Sequence, residues 1–242
     1  MRMTTERRMT AFYMALILFG AIVSSNAVNA TTLLFDDFND GNDDGWTQQL
    51  GTWSAATGQY TTVTPDDDFY AVRGNSSWSN YILEADIKMD AWENNVGLVF
   101  YSQANTDHIR FTYNGPGFNP DSIFLEHGQW DSLEGEFVHT SIATFINTDL
   151  NLANDTWYNF KVVIAGDSVA AYIDDVLYAS ADSLPYSSGK IGLTWDNGFP
   201  LLAASFDNVQ VSTVPLPAAL PLFFFALAGL SIFGNHRKLS MG

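Results

Sequence analysis

The chain has 242 residues, 47% of them hydrophobic and 15% charged, a balance too apolar for a disordered polymer and a length sufficient to bury a core. Its formal net charge of −17, from 27 acidic against 10 basic residues, excludes a surface that holds nucleic acid by neutralising phosphates. With no cysteine, the chain has no disulfide, thiolate zinc site, iron–sulfur cluster or cysteine nucleophile.

The first predicted element is a secretory leader over residues 1–30. Arg2, Arg7 and Arg8 make a basic start, Ala11 to Val23 an apolar stretch, and Val28-Asn29-Ala30 a cleavage site with small residues at its key positions. The alternative, an uncleaved anchor, calls for an apolar run of about 20 residues. Residues 31–213 form the predicted domain. They hold all seven tryptophans, every acidic residue but Glu6, and five basic ones, Arg73, Lys88, Arg110, Lys161 and Lys190. Tyr81 to Asp90 alternates Tyr81, Leu83, Ala85, Ile87 and Met89 against Ile82, Glu84, Asp86, Lys88 and Asp90, which predicts a strand packed on one face and wet on the other. Val96 to Tyr101 is apolar at nearly every position and predicts a fully buried strand. Asp107 to Asn114 sets Ile109, Phe111 and Tyr113 against His108, Arg110, Thr112 and Asn114. Trp157 to Ala165 sets Tyr158, Phe160, Val162 and Ile164 against Asn159 and Lys161, and Gly166-Asp167 joins it to Ser168–Ile173 as a two-residue hairpin. Polar turns such as Thr57-Gly58, Asp174-Asp175 and Asp196-Asn197-Gly198 punctuate the rest. Many short strands with polar turns predict an all-β, two-sheet antiparallel sandwich in a single domain.

Residues 214–242 form a final segment. Val214-Pro215-Leu216-Pro217 precedes an apolar run to Phe233, and His236-Arg237-Lys238 lies near the end. Counted from Leu216 the run has 18 residues, the short end of what crosses a bilayer, and a helix in it would begin beyond Pro221. The basic tip would stay in the cytoplasm, leaving everything before it outside.

This order of parts resembles the PEP-CTERM sorting signal, with Leu216 where family members usually carry Glu. The resemblance implies export in a Gram-negative bacterium, passage through a membrane-anchored stage on the C-terminal hydrophobic helix, and recognition and removal of the tail by an exosortase. The alternative is a permanent single-span anchor. Within the domain, Phe35-Asp36-Asp37-Phe38-Asn39-Asp40-Gly41 with Trp46, Gly51-Thr52-Trp53, Trp78-Ser79-Asn80-Tyr81, Trp157-Tyr158-Asn159-Phe160-Lys161-Val162, Tyr172-Ile173-Asp174-Asp175, Gly189-Lys190-Ile191-Gly192-Leu193 and Phe206-Asp207-Asn208-Val209 resemble the concanavalin A-like, laminin-G-like jelly rolls of secreted bacterial proteins. That scaffold hosts sugar binders, glycosidases and adhesion modules, so the resemblance bears on fold far more than on function.

Laminarinase-type hydrolases of this fold carry Glu-x-Asp-x-x-Glu or a form one residue shorter along a strand. Glu84-Ala85-Asp86-Ile87-Lys88-Met89 supplies the first two carboxylates, but Lys88 or Met89 stands where the acid belongs. His108, His127 and His139 show no metal-ligand spacing, and no Gly-x-Ser-x-Gly elbow is present. No catalytic residue is therefore assigned. The loop from Asp36 to Gly45 has the oxygen donors of a calcium site but no bidentate Glu at the twelfth position of an EF-hand. Neighbouring first and last strands would bring Asp36 or Asp37 to Asp207, while the competing reading makes these aspartates turn caps. For a carbohydrate, aromatic faces beside planar polar groups are required. Trp92, Tyr101 and Trp130 supply the former, with Trp195 also near a turn, and His108, Arg110 and Lys161 the latter. Arg110 would otherwise pair with Glu84 or Asp86. The expectation is an exported, non-catalytic module that binds a polysaccharide or matrix glycan in the cell envelope, on the surface or in the matrix. The alternatives are a glycosidase-like enzyme, including one like the 3-keto-disaccharide hydrolases, or a structural biofilm protein.

Overall fold

The computed structural model describes residues 30–63, 68–89, 95–115, 122–146, 150, 152–196 and 203–215. The leader stretch 1–29, Trp92, Leu216, Pro217 and the apolar run to Phe233 lie outside the described residues. Thr31–Val214 forms a compact unit. Its strands are β1 (Thr32–Asp36), β2 (Thr47–Leu50), β3 (Thr52–Ser54), β4 (Tyr60–Val63), β5 (Asp68–Arg73), β6 (Tyr81–Met89), β7 (Asn95–Ser102), β8 (His108–Asn114), β9 (Ser122–Asp131), β10 (Glu136–Ile146), β11 (Trp157–Ala165), β12 (Ser168–Ile173), β13 (Val176–Ala181), β14 (Lys190–Asp196) and β15 (Ala204–Thr213). No helix occurs among the described residues.

The strands form two antiparallel sheets, so the all-β sandwich is the observed architecture. One runs β13-β12-β11-β6-β15-β4-β3 with β1 added beside β15; the other runs β10-β9-β8-β7-β14-β5-β2. Period-2 patterning decides which faces meet. In β6, Tyr81, Leu83, Ala85, Ile87 and Met89 are buried and the residues between them half-buried, as the alternation requires. The inner faces of β7, β8, β11 and β14 add Leu98, Phe111, Phe160 and Trp195 to the same core. Each large side chain so buried contributes roughly 1.5–3 kcal/mol. One end of the core is aromatic: Tyr60 stacks on Phe38 at 5.0 Å and on Trp53 at 4.9 Å, and Trp46 leans on both Phe38 and Tyr60.

Two glycines let the second sheet close. A Cβ on Gly97 would fall 1.9 Å from the Phe111 carbonyl oxygen, so β7 and β8 can approach this closely only with glycine there. A Cβ on Gly192 would meet the Ala71 carbonyl at 2.5 Å. At the other sheet's seam, β1 pairs with β15, Asp36 lying opposite Val209. A bulge between Asp207 and Gln210 bends β15, with Asn208 at φ 50, a left-handed conformation that Asn tolerates better than most residues.

Candidate functional site

The second sheet carries polar side chains on its outer face, and these are not wet. Register lines up Val72 of β5, Gly192 of β14, Val99 of β7, Arg110 of β8 and Glu126 of β9 in one row. The next row runs Tyr70, Thr194, Gly97 and Thr112. Arg110 is 5% exposed, His108 2% and Thr112 0%. The predicted solvated face of Asp107 to Asn114 is thus corrected: alternation is kept, but both faces are covered. Leu50 and Phe137 close over Tyr70, Val72 and Val99 as a small second cluster outside the main core.

Arg110 pairs with Glu126, not with Glu84 or Asp86, which sit on the other sheet. Its Nε and Nη2 donate to Glu126 Oε2 at 2.9 and 2.8 Å, and Nη1 lies 3.6 Å from Asp196 Oδ2. Desolvating Arg110 and Glu126 is costly unless the two compensate one another, as they do here, while Asp196, with 40% of its side chain exposed, stays at the solvent edge. His108 bonds the Thr106 carbonyl through Nδ1 at 3.0 Å, so that nitrogen is the donor in the neutral ring. Burial, with help from Arg110, lowers the His108 pKa to about 4, and burial, Arg110 and His108 lower that of His139 to about 3. The rings fit because β9 has Gly128 between them; a Cβ there would lie 2.7 Å from His108 Nε2.

These groups surround a cavity of about 170 Å³ lined by Tyr70, His108, Arg110, Glu136, Phe137, His139, Thr194 and Asp196 among others. An adjoining hollow of about 320 Å³ shares Leu50, Tyr70 and Phe137 and adds Trp130 and Asn105. Aromatic rings wall the junction. Phe137 meets Trp130 edge-on at 5.1 Å and His108 at 4.8 Å, and Tyr70 lies 4.7 Å from His108. Polar floor and aromatic wall form one cleft.

The structure divides the sugar-binding candidates. His108, Arg110 and Trp130 come together at this cleft. Tyr101 does not: it is 0% exposed in the core, its hydroxyl donating to the Gly166 carbonyl at 2.9 Å. Trp195, inside β14, is 0% exposed and packs in the core, and it is also among the residues that line the cavity. Lys161 belongs to the other sheet, paired with Asp175 and lying over the Tyr172 ring. Glu84 and Asp86 also occupy that sheet, Asp86 accepting bonds from Asn159 and Asn208 at 3.1 and 2.9 Å. Sequence reading missed Tyr70, Glu126, Phe137, His139 and Asp196 as site residues. β9 and β10 showed no clean alternation, and only pairing across strands puts Glu126 and Asp196 beside Arg110.

The aspartates of the first loop line a separate hollow of about 260 Å³ with Arg73. Asp36 is engaged by Trp46 Nε1 at 2.9 Å, by Arg73 and by the Phe38 amide, and Asp37 caps the Asn39 amide. Burial raises the Asp207 pKa, reinforced by Asp86, Asp37 and Asp36, so these carboxylates feel one another across the seam. Among the described residues no group of three or more His, Asp or Glu side chains is arranged to hold a metal. Nor, among them, is any helix long and apolar enough to cross a membrane.

A family model described as a 3-keto-alpha-glucoside-1,2-lyase-like domain matches residues 31–212. No curated protein matches the chain. Among solved structures, the carbohydrate-binding module CBM66 from Bacillus subtilis is similar, with a TM-score of 0.54 and 23% identity over 69% of this chain and 95% of that one. The endo-β-1,3-glucanase from Pyrococcus furiosus gives 0.55 and 13%, over 77% and 95%. The Bacillus licheniformis β-glucanase gives 0.53 and 14%, over 75% and 97%. At these identities the likeness is one of fold.

Proposed function

The chain belongs to the 3-keto-alpha-glucoside-1,2-lyase-like domain family, and from that premise we propose that it is a saccharide-binding module whose ligand lies in the cleft over Arg110. The observation that carries this is the Arg110–Glu126 pair, charged, hydrogen-bonded and kept nearly dry on the outer face of a sheet beside an aromatic wall, with Asp196 at its solvent edge. Sugar sites combine those two features, fixed polar groups that orient hydroxyls and ring faces that cover apolar C–H surfaces. The fold neighbours bear on the same point, being named a carbohydrate-binding module and two glucanases. The module is proposed to act outside the cytoplasm, in the envelope or matrix, after exosortase processing of the C-terminal segment.

A glycan array with the full-length protein tests the reading. Retention of a glycan and its loss by up to about tenfold in Trp130→Ala, the scale of one aromatic contact, support it. Failure to retain any glycan overturns it.

A second reading follows from the family description itself. Elimination across carbons 1 and 2 of a 3-keto-glucoside needs a base to take the proton at carbon 2, acidified by the ketone; the C–H electron pair becomes a double bond between carbons 1 and 2, the glycosidic C1–O bond breaks, and the leaving oxygen takes its electrons and then a proton. His139 lines the cavity with Nε2 buried and unpartnered. Its pKa of about 3 makes it a weak base, which is why binding takes precedence. Incubation with 3-keto-disaccharides decides: release of the leaving sugar, abolished in His139→Gln, would establish the enzyme.

A further inference from the structure

We propose that the saccharide of this cleft is a neutral one, held by a hydroxyl that accepts a hydrogen bond from Arg110 Nη1 and donates one to His108 Nε2. This rests on the saccharide-binding reading and names its ligand class and the residue that selects it. His108 is 2% exposed and lines the cavity. Its Nδ1 lies 3.0 Å from the Thr106 carbonyl, which can only accept, so Nδ1 carries the proton. Burial keeps the ring neutral, and Nε2 is left with a lone pair and no hydrogen. Among the described residues none donates to that nitrogen. Gly128 leaves it uncovered, since a Cβ there would lie 2.7 Å from it. A buried acceptor without a donor carries a penalty that a bound donor relieves.

The second observation is a donor beside that acceptor. Arg110 leaves β8 two residues after His108 on the same face, about 7 Å along the strand. Behind burial, its charge is among the causes that hold the His108 pKa low, so the two groups are close. Nε and Nη2 are taken by Glu126. Nη1 has Asp196 only at 3.6 Å, beyond hydrogen-bond length, and its protons stay available to the cavity. A fixed acceptor next to a fixed donor discriminates by chemistry. A carboxylate or sulfate would satisfy Arg110 but set its oxygens against the His108 lone pair. An ammonium would satisfy His108 but set a positive charge against Arg110. A hydroxyl does both, having one proton to give and lone pairs to receive. A site built this way rejects a group that cannot do both, because one of its buried partners is then left unpaired.

The test is calorimetric titration of the full-length protein with laminaritetraose, cellotetraose, a glucosamine tetramer and a galacturonate tetramer. Mildly acidic pH keeps the amine charged and His108 neutral. At least one of the two neutral chains should bind about tenfold or more tightly than either charged one, the scale of a lost hydrogen bond to a buried partner. In protein carrying isotope-labelled histidine, that chain should move the His108 Nε2 resonance toward that of a nitrogen accepting a hydrogen bond, with the Nδ1 proton retained. His108→Phe keeps a ring against Tyr70 and Phe137 and should weaken the neutral chain about tenfold. Should that variant fail to fold, the resonance of the unaltered protein decides. A preference for the glucosamine or galacturonate chain, or equal affinity for all four, overturns the neutral class. Binding with the Nε2 resonance unmoved, or undiminished in folded His108→Phe, overturns the role of His108. Each of these leaves saccharide binding in place. Absence of binding to all four, by protein whose circular dichroism is that of a folded β-sheet, removes the saccharide reading and the hydroxyl contact with it.

Discussion

Arg110 is where the chemistry of the outer face concentrates. Removing only the guanidinium strands Glu126, whose side chain is 12% exposed. Arg110→Ala should therefore cost roughly 3–5 kcal/mol in urea unfolding, the size expected for breaking a buried pair. Replacing both partners, Arg110→Met with Glu126→Leu, should recover most of that stability and still abolish glycan affinity, which separates the residue's role in the fold from its role in binding. The histidines set a pH dependence. The His108 pKa falls from 6.5 to about 4 on folding, so its neutral ring contributes stability that is complete above 6.5 and lost as pH drops toward 4. The stake is about 3 kcal/mol. His139, lowered to about 3, acts in the same direction. Denaturant titrations should show stability declining from about pH 6.5 downward, and a shallower decline in His108→Gln; a flat profile through that window would count against the burial of these rings.

At the level of elements, the seam between β1 and β15 concentrates like charge. Asp207 stands opposite Asp86 in the register of β15 and β6, with Asp36 and Asp37 close enough to raise its pKa. A carboxyl whose pKa rises on folding contributes stability at low pH and loses it as pH climbs through the folded value, so at neutral pH Asp207 is a cost. Asp207→Asn should accordingly raise the melting temperature at pH 7 in low salt. A calcium ion at the seam remains a proposal with a simple measure: millimolar Ca²⁺ should raise the melting temperature above the value in sodium chloride of equal ionic strength, and Asp207→Asn should erase the difference. Equal shifts in the two salts would leave these aspartates as caps of turns.

For the whole molecule, the proposal of export with processing at both ends makes a claim that mass can check. If the stretch before Thr31 is a cleaved leader and the Val-Pro segment after Val214 a sorting signal, as proposed, the product is defined. Intact-mass measurement on protein from the native host should find a species starting near Thr31 and ending between Val214 and Pro217. A mature form retaining Phe223 to Lys238 would replace processing by a permanent anchor. A domain this acidic repels itself, so its melting temperature should rise with added salt even without a specific ion.

Strand content was legible wherever one face meets the core, because a two-residue period follows directly from side chains alternating across a pleat. β6, β11 and the β11–β12 hairpin were readable for that reason. The acidic balance and the absence of cysteine were equally plain, being properties of composition. Alternation distinguishes two faces of a strand but not what covers each, so Arg110 and His108 were placed on a polar face that proves to be buried, and Tyr101 on a turn when it lies in the core. The cleft required tertiary structure. Its polar floor joins β8, β9, β10 and β14, with Arg110 and Glu126 sixteen residues apart in sequence and Asp196 far beyond both. Sheet order and register alone bring those charges within reach of one another, and no local pattern of residues encodes that pairing.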